Sequence, residues 1–127
     1  MMNLIVAMVL VAGFMPFSCA LIAKAGQKSY DNHNPRDWLA QQTGYRARAN
    51  AAQANCFEAF PFFVAGILFA LHAQAPQERI ALYACVFVAA RLAYIVCYLL
   101  DQDKLRSLAW LLGLLCTIGL FSASMGA

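Results

Sequence analysis

Two charged residues stand alone in long apolar stretches. Glu58 is the only Asp, Glu, Lys or Arg between Arg48 and Glu78, and Arg91 the only one between Arg79 and Asp101. A charge inside an apolar helix is costly, and its first reading is as part of a functional site. Polar neighbours fall on the same faces. Arg48, Asn55 and Glu58 are spaced i, i+7 and i+10, and Arg91, Tyr94 and Tyr98 are spaced i, i+3 and i+7. Each set lies on one side of a helix, with Gln53 on a different face. Glu58 comes ten residues after Arg48, and Arg91 ten before Asp101. Each is therefore about 15 Å from its helix end, at similar depth on antiparallel neighbours. A Glu58–Arg91 ion pair is expected, because it offsets the burial of both charges. Asn55, Tyr94, Tyr98 and Arg106 add donors and acceptors that open toward the basic end of the molecule. Arginines grip carboxylates through paired hydrogen bonds, and Glu58 accepts from an ammonium group. Such a site suits a small water-soluble zwitterion with an extra carboxylate, meeting an apolar partner dissolved in lipid. Pro61 removes a helical hydrogen bond and crowds the carbonyl of Phe57, so a kink and a cavity are expected beside the cluster.

The elements that position these residues follow from composition. The chain has 127 residues, 63% hydrophobic and 12% charged, with mean hydropathy +0.63. Globular chains average about 45–50% apolar and about 25% charged. These values exclude an ordinary water-soluble enzyme and a disordered tail. Nine basic and six acidic residues are too few for a phosphate-tracking stripe, so no nucleic-acid partner is expected. The apolar runs mark four spans, at about 3–23, 46–73, 79–100 and 107–125. Each is near the roughly 20 residues that cross a bilayer, and each is helical because lipid leaves no other partner for the backbone. The expected fold is all-α: one membrane domain, 1–127, built as a four-helix bundle. Residues 24–45 form a polar loop with the turn formers Asn32, Asn34 and Pro35 and a short helix near Arg36–Gln42. The first apolar run lacks a basic flank ahead of it and reads as a span, not a cleaved leader.

Seven of the nine basic residues (Lys24, Lys28, Arg36, Arg46, Arg48, Lys104 and Arg106) fall in the first and third loops. Those loops are expected in the cytoplasm and both termini on the opposite side. The five cysteines all fall within spans, odd in number and without a CxxC pair. They suggest neither a disulfide framework nor a metal site and read as small packing residues. His33 and His72 are expected at solvated or interfacial positions, Trp38 at the membrane surface and Trp110 as an interfacial anchor.

The segment from Ala52 to Phe62, with Asn55, Glu58 and Pro61, resembles the second span of the MAPEG family, the membrane-associated proteins of eicosanoid and glutathione metabolism. The local likeness is to its leukotriene C synthase and microsomal glutathione transferase branches. Arg91 with Tyr94 and Tyr98 resembles the third-span motif. Leu105-Arg106-Ser107-Leu108 resembles the opening of the fourth, a feature also of the prostaglandin E synthase branch. Asn34-Pro35-Arg36 and Gly44-Tyr45-Arg46 look like the first loop of bacterial members, which points to a bacterial inner membrane. The resemblance implies a homotrimer with glutathione bound between subunits as co-substrate. Asn55 and Glu58 would then hold the γ-glutamyl and backbone groups, with Tyr94, Tyr98 and Arg91 in the same site and Arg48 and Lys24 as charged walls. Gln53 would reach in from the adjacent subunit. Arg106 would stabilise the glutathione thiolate, which then attacks an apolar electrophile or a lipid hydroperoxide; lowering a thiol pKa by about 1.5 units takes roughly 2 kcal/mol. The sequence departs from the family at Ala51, where catalytic members usually carry Arg, at Ala59, and at Gln53, where several branches have His. The alternative reading is a non-catalytic lipid-binding or scaffolding protein of the same fold.

Overall fold

In the computed structural model, residues 1–126 form five helices: α1 (Met2–Lys24), α2 (Pro35–Ala40), α3 (Gly44–His72), α4 (Gln77–Leu99) and α5 (Asp103–Ser124). Four of them, α1, α3, α4 and α5, are long and apolar enough to cross a membrane. The chain is an integral membrane protein built as a four-helix bundle. Charges sit at helix ends where the backbone favours them. Lys24 closes α1, and Asp103 opens α5.

The α3–α4 and α4–α5 turns use the same device. Gln74 and Asp101 each adopt φ 58, a left-handed conformation that ends a helix. The next residue then reaches back, with Ala75 N donating to Ala70 O at 3.0 Å and Gln102 N to Cys97 O at 2.8 Å. Helix α5 thus begins at Asp103, so Arg106 lies in its first turn and not in the preceding loop.

The central core is aromatic. Phe63 of α3 stacks on Phe87 of α4 with ring centroids 3.8 Å apart, and Ile5, Cys19, Ile80 and Leu120 close around them. Gly66 lets α5 come close to α3, since a Cβ there would sit 3.1 Å from Leu120 Cβ. Outward positions such as Leu10, Phe14, Leu21, Leu68, Leu108 and Leu115 are exposed, as expected for a surface facing lipid.

The first loop is more ordered than a solvated connection. Trp38 and Leu39 of α2 bury against Ala23 and Ala49. The Trp38 indole N–H donates to Ser29 Oγ at 3.3 Å, and its ring meets Tyr30 edge-on. Trp38 is therefore a core residue and not a surface anchor. Burying its ring against small alanines ties α2 to the end of the bundle. Two arginines of α3 lock the same end. Arg46 donates to the carbonyls of Ala23 and Ala25 at 2.9 and 2.8 Å. Arg48 donates twice to Leu99 O, at 3.3 and 3.2 Å. Both satisfy carbonyls that a helix end leaves without partners.

Candidate functional site

One stripe of α3 faces the core: Ala49, Ala52, Cys56, Phe63, Ile67 and Ala70 are all buried. Arg91 of α4 points at this stripe. It is only 3% exposed. Its guanidinium donates to Cys56 Sγ at 3.3 Å and lies over the Tyr94 ring, 4.1 Å from the centroid. The expected Glu58–Arg91 ion pair is not formed, and Glu58 is exposed. The reason is helical geometry: Glu58 is two residues from Cys56, about 200° around α3. Arg91 faces the inner side of that helix and Glu58 the outer.

The two charges nevertheless share a cavity of about 270 Å³ between α3, α4 and α5. Asn55, Glu58, Arg91 and Thr117 supply its polar lining, and Phe62, Phe87, Trp110 and Leu114 are among its apolar walls. One of its lining residues carries a polar atom without a partner. The side-chain oxygen Oδ1 of Asn55 is buried and has no hydrogen-bond partner. Such an atom carries a penalty of about 1–3 kcal/mol until something donates to it. The cavity thus brings a cation, an anion and an amide side chain together beside apolar walls. This set fits an amphoteric molecule carrying ammonium, amide and carboxylate groups.

A second feature runs from the cavity toward the basic end. Beyond Arg91, the Tyr94 and Tyr98 rings meet edge-on at 5.6 Å, and Arg106 lies over Tyr98 at 4.5 Å. Two rings of α4 thus link the Arg91 cation to the half-exposed guanidinium of Arg106 on α5. Stacking on a ring holds Arg106 without neutralising it.

Within one chain, then, Asn55, Glu58 and Arg91 line the cavity, and Tyr94, Tyr98 and Arg106 form the adjoining ladder. Arg48 is engaged with Leu99 O, and Lys24 lies over Tyr30 at 5.1 Å. Gln53 lines a separate groove of about 400 Å³ with Arg36, Asn50 and Ala51. Among the described residues, no group of three His, Cys, Asp or Glu side chains is placed to hold a metal ion.

Sequence reasoning missed several of these residues. Cys56 sits on an i, i+3, i+7 apolar stripe and reads as packing. The available signal was that this stripe is where a buried Arg91 must find its acceptor. Trp110 and Thr117 line the cavity one helix away from the charges, and no local spacing links them to Glu58. Arg36 belongs to a segment that reads as solvated, yet it lines one groove with Ala51 and Gln53.

The MAPEG family model matches residues 4–126, nearly the whole chain. The chain belongs to the MAPEG family. No curated protein matches it. MAPEG membership is consistent with a glutathione-related transferase or peroxidase function.

Proposed function

We propose that this protein is a glutathione-dependent membrane transferase or peroxidase. The observation that carries the reading is one cavity lined by Asn55, Glu58 and Arg91 together, with Asn55 Oδ1 buried and unpartnered. Glutathione is the water-soluble substrate. Asn55 Oδ1 accepts from one of its N–H groups, Glu58 binds its ammonium, and Arg91 a carboxylate. Tyr94 and Tyr98 lead from these contacts to Arg106, whose uncompensated charge stabilises the thiolate. In conjugation, the thiolate sulfur forms a bond to an electrophilic carbon arriving from the bilayer, and the carbon's bond to its leaving group breaks, chloride departing in the case of 1-chloro-2,4-dinitrobenzene. In peroxide reduction, two glutathione thiols and one hydroperoxide give a disulfide, an alcohol and water.

The site is completed by other copies of the chain in a homotrimer. Glu58 lies midway along α3 and is exposed in the single chain; a carboxylate facing hydrocarbon costs several kcal/mol unless covered. Gln53, which lines a separate groove with Arg36, would serve a neighbouring subunit. The basic end, where Lys24, Arg46, Arg48 and Arg106 gather, faces the cytoplasm of a bacterial inner membrane. A non-catalytic lipid-binding role is the second reading, favoured by the aromatic cavity walls.

The test uses the full chain in proteoliposomes, with glutathione and either 1-chloro-2,4-dinitrobenzene or cumene hydroperoxide. Turnover that Glu58→Gln and Arg106→Ala both abolish supports the proposal. Absence of turnover with both substrates, with a fluorescent fatty acid still binding in the cavity, establishes the second reading. Native mass spectrometry of the same sample reports the trimer or refutes it.

A further inference from the structure

The sulfur acceptor of the buried Arg91 has no part in the glutathione reading, and it adjoins a second thiol. Cys19 of α1 is 1% exposed and Cys56 of α3 is 4% exposed. Cys19 continues the buried Ala12–Met15 stripe of α1, Ala12 and Met15 line one small void together with Cys56, and both thiols belong to the same core cluster. Arg91 donates to Cys56 Sγ at 3.3 Å, and a guanidinium stays charged under all ordinary conditions. Three groups that chemistry uses together are therefore packed at one point inside the membrane: a nucleophilic sulfur, a fixed cation and a second sulfur. A small void of about 10 Å³ lies against Cys56, roughly the space of one water-sized oxygen. Ala59, Phe87 and Arg91 line both that void and the larger cavity. The void beside the sulfur and the cavity are thus neighbours, divided by the same three side chains.

We propose that Cys56, Cys19 and Arg91 form a dithiol site that reduces apolar organic hydroperoxides without glutathione. Cys56, as the thiolate held by Arg91, attacks the outer peroxide oxygen. The O–O bond breaks, the alkoxide takes up the proton Cys56 gave up and leaves as the alcohol, and Cys56 becomes a sulfenic acid. The sulfur of Cys19 then attacks the sulfenic sulfur. The S–O bond breaks, water departs with the Cys19 proton, and a Cys19–Cys56 disulfide forms. One hydroperoxide and two thiols thus give an alcohol, water and one disulfide. Cys85 and Cys97 are half-buried and Cys116 is buried, and Arg91 donates to none of them.

The experiment treats the full chain in lipid nanodiscs, free of glutathione, with one equivalent of cumene hydroperoxide. Intact-mass and peptide analysis follow. The expected result is loss of two hydrogens, with the Cys19 and Cys56 peptides joined. In Cys19→Ser, dimedone traps a sulfenic acid at Cys56. Arg91→Met slows oxidation of Cys56 by tenfold or more, and Arg91→Lys, which keeps the charge, stays within about threefold of wild type. Oxidation confined to Cys85 or Cys97 overturns the proposal, as does equal oxidation of Cys56 in Arg91→Met. The wild-type measurement requires no variant to fold. Because glutathione is absent, failure here is separate from failure of the glutathione reading.

Discussion

Replacing Asn55 by Leu should make the protein more stable and a poorer glutathione binder. In the free protein, Asn55 Oδ1 is buried and unpartnered, a loss of about 1–3 kcal/mol relative to a satisfied acceptor. Leucine has similar bulk and no polar atom. It would meet Phe62, Trp110 and Leu114 along the same cavity. Removing the penalty should raise the unfolding free energy by about 1 kcal/mol. Glutathione loses the acceptor that one of its N–H groups would use. A hydrogen bond worth about 1–2 kcal/mol corresponds to a Kd weakened roughly 5- to 30-fold. Stability is read by unfolding in mixed micelles with increasing dodecyl sulfate, and affinity by calorimetric titration of glutathione. Opposite movement of the two quantities is the mark of a residue held for a ligand. A variant that is less stable and binds glutathione unchanged would show that Asn55 is a packing residue, and the reasoning would fail.

Other variants separate support from site. Phe63→Ala removes a fully buried ring stacked on Phe87. It should cost about 3–5 kcal/mol in the same unfolding assay. Arg48→Met breaks two hydrogen bonds to Leu99 O; the expected loss is about 1.5–3 kcal/mol of stability, with glutathione affinity unaltered by calorimetry. Gly66→Ala places a Cβ 3.1 Å from Leu120 Cβ. Forcing α3 and α5 apart should lower the unfolding midpoint by an overpacking cost of about 1–3 kcal/mol.

The spans were legible because a bilayer imposes length and apolarity on every helix, and the lone Glu58 and Arg91 marked the polar region. Their mutual orientation was less so. Spacing along one helix gives depth, but which side of α3 faces α4 is decided by core packing. The stripe from Ala49 to Ala70 turned Cys56 toward Arg91 and left Glu58 outside. The order of the first loop was hidden for a related reason. Trp38 looked like an interfacial tryptophan, and only the fold brings it against Ala23 and Ala49, small residues that accept its ring. Arg46 and Arg48 resemble topology signals by charge alone, and both turn out to cap helix ends. The cavity required residues from three helices, Glu58, Arg91 and Trp110 among them, and no linear pattern joins those.

The most direct test of the central claim is an ultraviolet difference spectrum of the purified protein titrated with glutathione at neutral pH, beside Arg106→Ala. Arg106 is half-exposed and stacked on Tyr98, so the variant should fold with a loss of about 1 kcal/mol or less. The account predicts a saturable thiolate band in the wild type that is lost in the variant. No band at millimolar glutathione, or an equal band in both proteins, would contradict it.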